Sequence, residues 1–181
     1  MEPKTTESTR EYIMQSLALL IQKKPYASIT MEDVSQKSGM SRRTLYRYFD
    51  NKTAILRAYV DGLLAEFWPY VTDSIRSGKN IVENSFDFID LHFEFFKAAY
   101  NNELLFNIID LLKQVIRQIA LYSPPENRDP AYIDHYVAYV AGGCWGLLSN
   151  WLSADKKQSS HEMALAYKQI ARDLDERLSK T

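Results

Sequence analysis

The sequence predicts an all-α protein in two parts, a small basic helical domain followed by a larger acidic one. Three observations carry this. Apolar residues recur at three- and four-residue spacing along every long segment, and no stretch shows the alternation of a half-buried strand. Breaks at Pro25, Gly39, Gly78, Asn101-Asn102 and Ser123 to Pro130 cut that pattern into helix-sized pieces. Charge is also divided unevenly. Met1 to Arg57 carries ten Lys/Arg against six Asp/Glu, whereas Ala58 onward carries twelve against seventeen, although the whole chain sums to -1. The boundary is therefore placed between 1–57 and 58–181. With 46% apolar and 25% charged residues over 181 positions, the chain has the composition of a folded globular protein rather than a disordered one.

In chain order, Thr9 to Lys23 reads as an amphipathic helix with Ile13, Leu17, Leu20 and Ile21 on one face, ended by Pro25. Thr30 to Asp33 resembles a capping box, with Asp33 in place of the usual Glu, and opens a short helix that buries Val34. The exposed start of that helix suits either a plain cap or an anion held by free N–H groups. A helix from Asp50-Asn51 to about Arg76 follows, its stripe Leu56, Tyr59, Leu63, Phe67 and Tyr70, with Pro69 expected to kink or divide it. Ile81 to Tyr100 reads as one helix, and Leu105 to Tyr122 as the next, with Ile108, Leu112, Val115 and Ile119 on its stripe. Ala131 to Leu152 is a nearly wholly apolar helix with Gly142, Gly143 and Gly146 at its middle. His161 to Ser179 is the last, with Met163, Tyr167, Ile170, Leu174 and Leu178 as its stripe. The glycines either let another helix approach closely or make room for Trp145 or Trp151.

The stretch from Ser38 to Lys52 is the most informative. Gly39 suits a tight bend between two helices, and Ser41 is a favoured N-cap residue. Leu45 and Phe49 lie four apart and point to one core. The opposite side carries Arg42, Arg43, Thr44, Tyr46, Arg47 and Tyr48, the cations, hydroxyls and rings that bind phosphates and base edges. This is the pattern of a DNA-recognition helix. Lys52 falls in the first turn of the next helix, where the dipole disfavours a cation. It is either an ordinary surface lysine or a group awaiting an external anion.

Ile29-Thr30-Met31-Glu32-Asp33-Val34 and the run from Gly39 to Leu56, through Leu45-Tyr46-Arg47-Tyr48-Phe49-Asp50-Asn51-Lys52, resemble the TetR family of one-component transcriptional regulators. The resemblance covers about the first 60 residues. It implies a homodimer that sets one such helix from each subunit in the major groove of a pseudo-palindromic double-stranded DNA operator. It implies Arg42, Arg43 and Thr44 as base readers, and Thr30, Ser41, Tyr46, Arg47, Tyr48 and Lys52 as contacts to the DNA backbone. Family members often carry a small residue or glycine where Arg43 stands. The resemblance further implies dimerisation through the helices near 131–152 and 161–179, and a small-molecule effector bound among the C-terminal helices. Phe86, His92, Phe93, Phe96, Tyr100, Phe106, Tyr136 and Trp145 are the candidate lining of such a pocket, or else ordinary core. The expected function is a repressor released by its ligand. The alternative is an activator, or a regulator that answers to a partner protein.

Other chemistry has little support. His92, His135 and His161 show no metal-ligand spacing, and no metal or other cofactor is expected. Nucleophile, metalloprotease, phosphate-loop and dinucleotide motifs are missing, so no enzyme activity is expected. Cys144 is the single cysteine, Met1 to Arg10 has no signal-like run, and Leu17 to Ile21 is too short to span a bilayer; a reducing, cytoplasmic location without membrane attachment is the expectation.

Overall fold

The computed structural model describes residues 6–77, 80–105, 108–122, 125, 128–154 and 158–178. Among them are α-helices and one 3-10 turn, and no strand. The helices are α1 (Thr6–Ile21), α2 (Met31–Ser38), α3 (Arg42–Tyr48), α4 (Lys52–Ser77), α5 (Ile81–Leu91), α6 (Phe93–Asn101), α7 (Ile108–Tyr122), α8 (Pro130–Ser153) and α9 (Ser160–Leu178), with the 3-10 turn at Tyr26–Ser28. The chain forms two compact units that divide between Glu66 and Phe67, inside α4.

In the first unit α1 packs on α2 and α2 on α3. Its buried residues are Ile13, Leu17, Ile21, Ile29, Val34, Leu45, Phe49, Ile55 and Leu63. Gly39 closes α2 with φ 68°, a conformation that costs an L side chain strain. Around it Met40 N donates to Ser35 O (3.2 Å) and Gly39 N to Gln36 O (3.4 Å), the paired bonds that satisfy the last carbonyls of a helix.

The second unit is built on α5 against α9, α6 and α7 against α8. Trp151 has no exposed surface and lies among Phe86, Phe93, Leu148, Leu152, Met163 and Ala164. The rings of Phe86 and Phe93 sit 5.7 and 5.1 Å from it, centroid to centroid. Its indole N–H donates to Gln158 O at 3.0 Å. Asn80 and Asp129 cap α5 and α8; Asp129 Oδ1 accepts from Ala131 N and Tyr132 N at 2.9 and 3.2 Å. Ser159 and Glu162 form a reciprocal capping box at the start of α9.

The structure differs from the periodicity in three places. Ile81 to Tyr100 is two helices, because His92 leaves helical geometry (φ -109°, ψ 19°) and its N–H bonds to Ile89 O, three residues back. Phe86, Phe88, Phe93 and Phe95 are all buried around this break, which no glycine or proline announces. Leu105 lies before α7, in a turn where Glu103 adopts φ 56°. Leu104 N to Ala99 O (2.9 Å) and Glu103 N to Tyr100 O (3.0 Å) repeat the pairing seen at Gly39, here without a glycine. Pro69 does not divide α4. Ala65, the residue four positions before Pro69 whose carbonyl a proline cannot serve, is exposed.

Trp151 anchors the second unit with the largest fully buried side chain. Trp151→Ala is expected to destabilise that unit by about 3–5 kcal/mol, read as a lower denaturant midpoint in helical circular dichroism.

Candidate nucleic-acid interface

The interface is built outward from two anchors. Leu45 and Phe49 are buried, and α3 is only seven residues long, so these two side chains hold the helix in place. Ser41 starts it by accepting from Thr44 N at 3.1 Å, and the Ser41 and Thr44 hydroxyls lie 2.9 Å apart. With Leu45 turned inward, Ser41, Arg42, Arg43, Tyr46 and Arg47 are exposed, while Thr44 and Tyr48 are half-buried. Arg42 Nε lies 3.6 Å from Glu32 Oε2 on α2, a water-exposed pair of little energetic weight that a stronger anion displaces easily. Arg47 donates to Tyr48 Oη at 3.4 Å and lies 5.0 Å from that ring's centroid. On the inner side, the Arg10 guanidinium of α1 sits 5.1 Å from the Phe49 ring.

The start of α2 lies on a second set of contacts. Thr30 Oγ1 accepts from Asp33 N (3.1 Å) and donates to Asp33 Oδ2 (2.7 Å), which also accepts from Thr30 N (2.7 Å). Lys24 Nζ reaches Asp33 Oδ1 at 2.8 Å. The hydrogen bond from Lys24, followed by those from Thr30, holds the Asp33 carboxyl well below the usual carboxylate range. The Thr30 hydroxyl is thus engaged within the protein. The N–H groups of Met31 and Glu32, in the first helical turn, have no acceptor within the helix.

Lys52 is the residue whose surroundings differ most from the sequence reading. Its ammonium group donates to Tyr26 O at 2.7 Å, Ile29 O at 2.8 Å and Ala27 O at 3.3 Å. In the first turn of α4 the ammonium thus meets the carbonyls of the 3-10 turn and of Ile29, which follows it. Those acceptors lie 23 to 26 positions away in the chain, a separation that no local pattern reports.

Five of the eight residues named as pocket lining share one apolar cluster. Phe86 and Phe93 are core beside Trp151, and Phe96, Tyr100 and Trp145 are partly buried against the same cluster. The His92 ring lies 4.7 Å from that of Phe88. Tyr136 stacks on Tyr132 at 6.5 Å. Phe106 falls outside the described residues. Burial raises the pKa of Tyr167, with Cys144, Tyr136 and Tyr139 adding in the same direction. No helix among the described residues is long and apolar enough to cross a membrane.

A capped two-helix unit with a tight glycine turn and a second helix bearing outward cations and hydroxyls is a helix-turn-helix DNA-binding domain. Residues 13–59 match the family model described as bacterial regulatory proteins, tetR family, and residues 78–173 match one described as a transcriptional regulator C-terminal region. The chain belongs to the tetR family of DNA-binding transcriptional regulators. It is 24% identical over 162 residues to the HTH-type transcriptional regulator YxbF of Bacillus subtilis, covering 84% of this chain and 42% of that protein. It is 37% identical over 60 residues to an HTH-type transcriptional regulator of Mycobacterium tuberculosis, covering 33% of this chain and 30% of that one. The chain thus spans less than half the length of these curated relatives.

Among solved structures, it resembles the dihydroxyacetone kinase operon activator DhaS with a TM-score of 0.68 at 15% identity, over 96% of this chain and 98% of that one. It also resembles the fatty acid degradation regulator FadR from Bacillus halodurans (TM-score 0.63, 15% identity, 93% and 96% covered) and the repressor AlkX from Dietzia (0.55, 19%, 97% and 98%). These likenesses show the fold.

Thr30→Ala is expected to cost about 1 kcal/mol of stability in the first unit, measured by chemical unfolding. Asp33 has a folded pKa below its ordinary 3.8. Its contribution is therefore complete well above pH 4 and is lost as pH falls from there toward the lower folded value. Asp33→Asn should lower the melting temperature at pH 7 and narrow the gap between melts at pH 7 and pH 3.

Proposed function

We propose that the chain works as a homodimeric repressor, with residues 1–57 reading a pseudo-palindromic operator and residues 58–181 carrying dimerisation and control by a small molecule. The observation that carries the DNA reading is the division of α3, with Leu45 and Phe49 inside and Arg42, Arg43, Tyr46 and Arg47 outside. Arg42, Arg43 and Thr44 stand near the start of the helix, the end that meets base edges in helix-turn-helix complexes. Ser41, Tyr46, Arg47, Tyr48 and Lys52 are the proposed contacts to the DNA backbone. At Thr30 the phosphate is met through the start of α2 and its Met31 and Glu32 N–H groups, because the hydroxyl is occupied.

Dimerisation through α8 and α9 is supported by what these helices leave uncovered. Tyr139 is 66% exposed, Leu165 48%, Ile170 46% and Leu174 40%. Gly142, Gly143 and Gly146 are exposed, and a Cβ built on any of them meets nothing within 4 Å. Making room for Trp145 or Trp151 is not their purpose. They leave a shallow strip on which a second helix pair approaches closely, giving a four-helix seam. The effector reading rests on the partly buried Phe96, Tyr100 and Trp145 beside the aromatic core, and on family resemblance. The fold match to DhaS, an operon activator by its name, favours activation as the second reading.

Selection of bound duplexes from a random pool tests the DNA reading; an inverted repeat with half-sites about one helical turn apart is the expected product. Arg42→Ala should lose about 1–3 kcal/mol of discrimination at one or two base pairs in each half-site; unchanged preference would remove Arg42 from the base readers. Gly143→Leu should convert a dimer to a folded species near 21.0 kDa in sedimentation, with operator binding weakened as the paired half-sites are lost. A reporter gene behind the selected operator separates the two signs of regulation. Expression that rises on loss of the protein supports a repressor, and expression that falls supports an activator.

A further inference from the structure

Glu32 and Arg42 stand on successive helices, α2 and α3, and their charged groups come together with Arg42 Nε 3.6 Å from Glu32 Oε2. The turn between them is fixed. Ser35 Oγ donates to Met40 O at 2.6 Å, Ser38 Oγ to Ser35 O at 3.2 Å and Met40 N to Ser35 O at 3.2 Å, and both serines are buried. The carboxylate has a second partner on its own helix, Gln36 Nε2, which donates to Oε1 at 3.3 Å. Oε1 is therefore engaged within α2, and Oε2 is the oxygen turned to Arg42. The two side chains are 65% and 50% exposed, so the pair adds little to stability. The helix dipole favours a carboxylate in the first turn of α2 but does not direct it toward α3. The contact uses Nε, the inner nitrogen of the guanidinium, whereas most N–H donors of that group are on its two outer nitrogens. Those outer donors are the ones that match guanine O6 and N7 side by side.

We propose that Glu32 is a positioning residue for base reading: it holds the Arg42 guanidinium by its inner nitrogen, so that the outer nitrogens meet one base edge in the groove. The proposal rests on the DNA-binding reading above, and its test separates the two. A long arginine side chain loses rotamer freedom when it is fixed on a target, and a neighbour that narrows its range beforehand lowers that cost. Docking expels water from around the pair, which strengthens the attraction between its charges. A base edge carries no net charge and leaves the carboxylate in its place, whereas a phosphate competes with it for the same cation. Glu32 thus favours the complex in which Arg42 reads a base over the one in which Arg42 rests on the DNA backbone. Its negative charge also weakens contact with DNA of unmatched sequence.

The experiment compares the full chain with Glu32→Gln, Glu32→Asp, Arg42→Ala and the double variant carrying Glu32→Gln with Arg42→Ala. Each is titrated with the selected operator, with operators changed one base pair at a time, and with an unrelated duplex across a salt series. Arg42→Ala marks the base pair that Arg42 reads. At that pair Glu32→Gln is expected to lose about fivefold of the preference, with the other positions unchanged. Glu32→Asp keeps a charge at the start of α2 but reaches less far by one methylene, and should lose most of the same preference. On the unrelated duplex Glu32→Gln should bind more tightly, with a salt slope steeper by about 0.9 as Arg42 is freed for a phosphate. In the double variant, Glu32→Gln should remove no preference beyond that already lost with Arg42. Unchanged preference in Glu32→Gln would overturn the proposal. So would a loss spread evenly over all positions, a loss that persists without Arg42, or an Arg42→Ala profile identical to that of the unaltered chain. Failure of the unaltered chain to bind any duplex would instead defeat the DNA-binding reading.

Discussion

A seven-residue helix does not stand alone in water. The first unit is arranged around that constraint. Two buried side chains, Leu45 and Phe49, hold α3, and Ser41 supplies the hydrogen bond that its first turn lacks. Because the anchors are only two and lie on one edge, the remaining circumference is free of core duty. That is why cations, hydroxyls and a phenol occupy adjacent turns without cost to packing. The preceding helix buries Val34 and is closed by a glycine turn at one end and the Thr30–Asp33 box at the other. Caps and turns therefore set the ends of both short helices, while the buried side chains of the unit hold them together.

Local chemistry of this kind is legible in a sequence, which explains where reading succeeded. Thr30 with Asp33, Gly39, Ser41, and Leu45 with Phe49 all act within four positions of each other, and each behaves as its residue type dictates. Ser159 and Glu162 formed an equally plain signal, an S-x-x-E spacing, yet it was missed beside the polar run before it. Lys52 shows what spacing leaves out: the carbonyls that its ammonium meets come from a turn more than twenty residues earlier. The break at His92 and the left-handed Glu103 are illegible in another sense, since neither residue type prefers its conformation.

Periodicity also tells which residues share a face without telling what covers it. The α9 stripe of Met163, Tyr167, Ile170 and Leu174 looks uniform in sequence. In the structure its first member is buried in the aromatic core, its second is half-buried, and the last two are exposed. The same is true of α8, where Val137, Ala141, Leu148 and Trp151 point inward and Tyr139 with the glycines points out. An apolar helix wider in its hydrophobicity than the core it serves leaves an uncovered strip, and such strips mark surfaces of association. The eight candidate pocket residues suffered from the same ambiguity: aromatic content predicted a cluster but not which rings would be its solid centre.

The position of Trp151 has a spectroscopic consequence. All three tryptophans, Trp68, Trp145 and Trp151, lie beyond Glu66, and only Trp151 is fully enclosed. Its indole, ringed by phenylalanines and bonded to a carbonyl, emits from an apolar environment until the second unit opens. The first unit holds tyrosines and no tryptophan. Intrinsic fluorescence therefore follows one unit and is blind to the other, whereas far-ultraviolet circular dichroism sums both. Coincidence or separation of the two signals is a direct measure of whether α4, the helix they share, makes the chain unfold as one cooperative body.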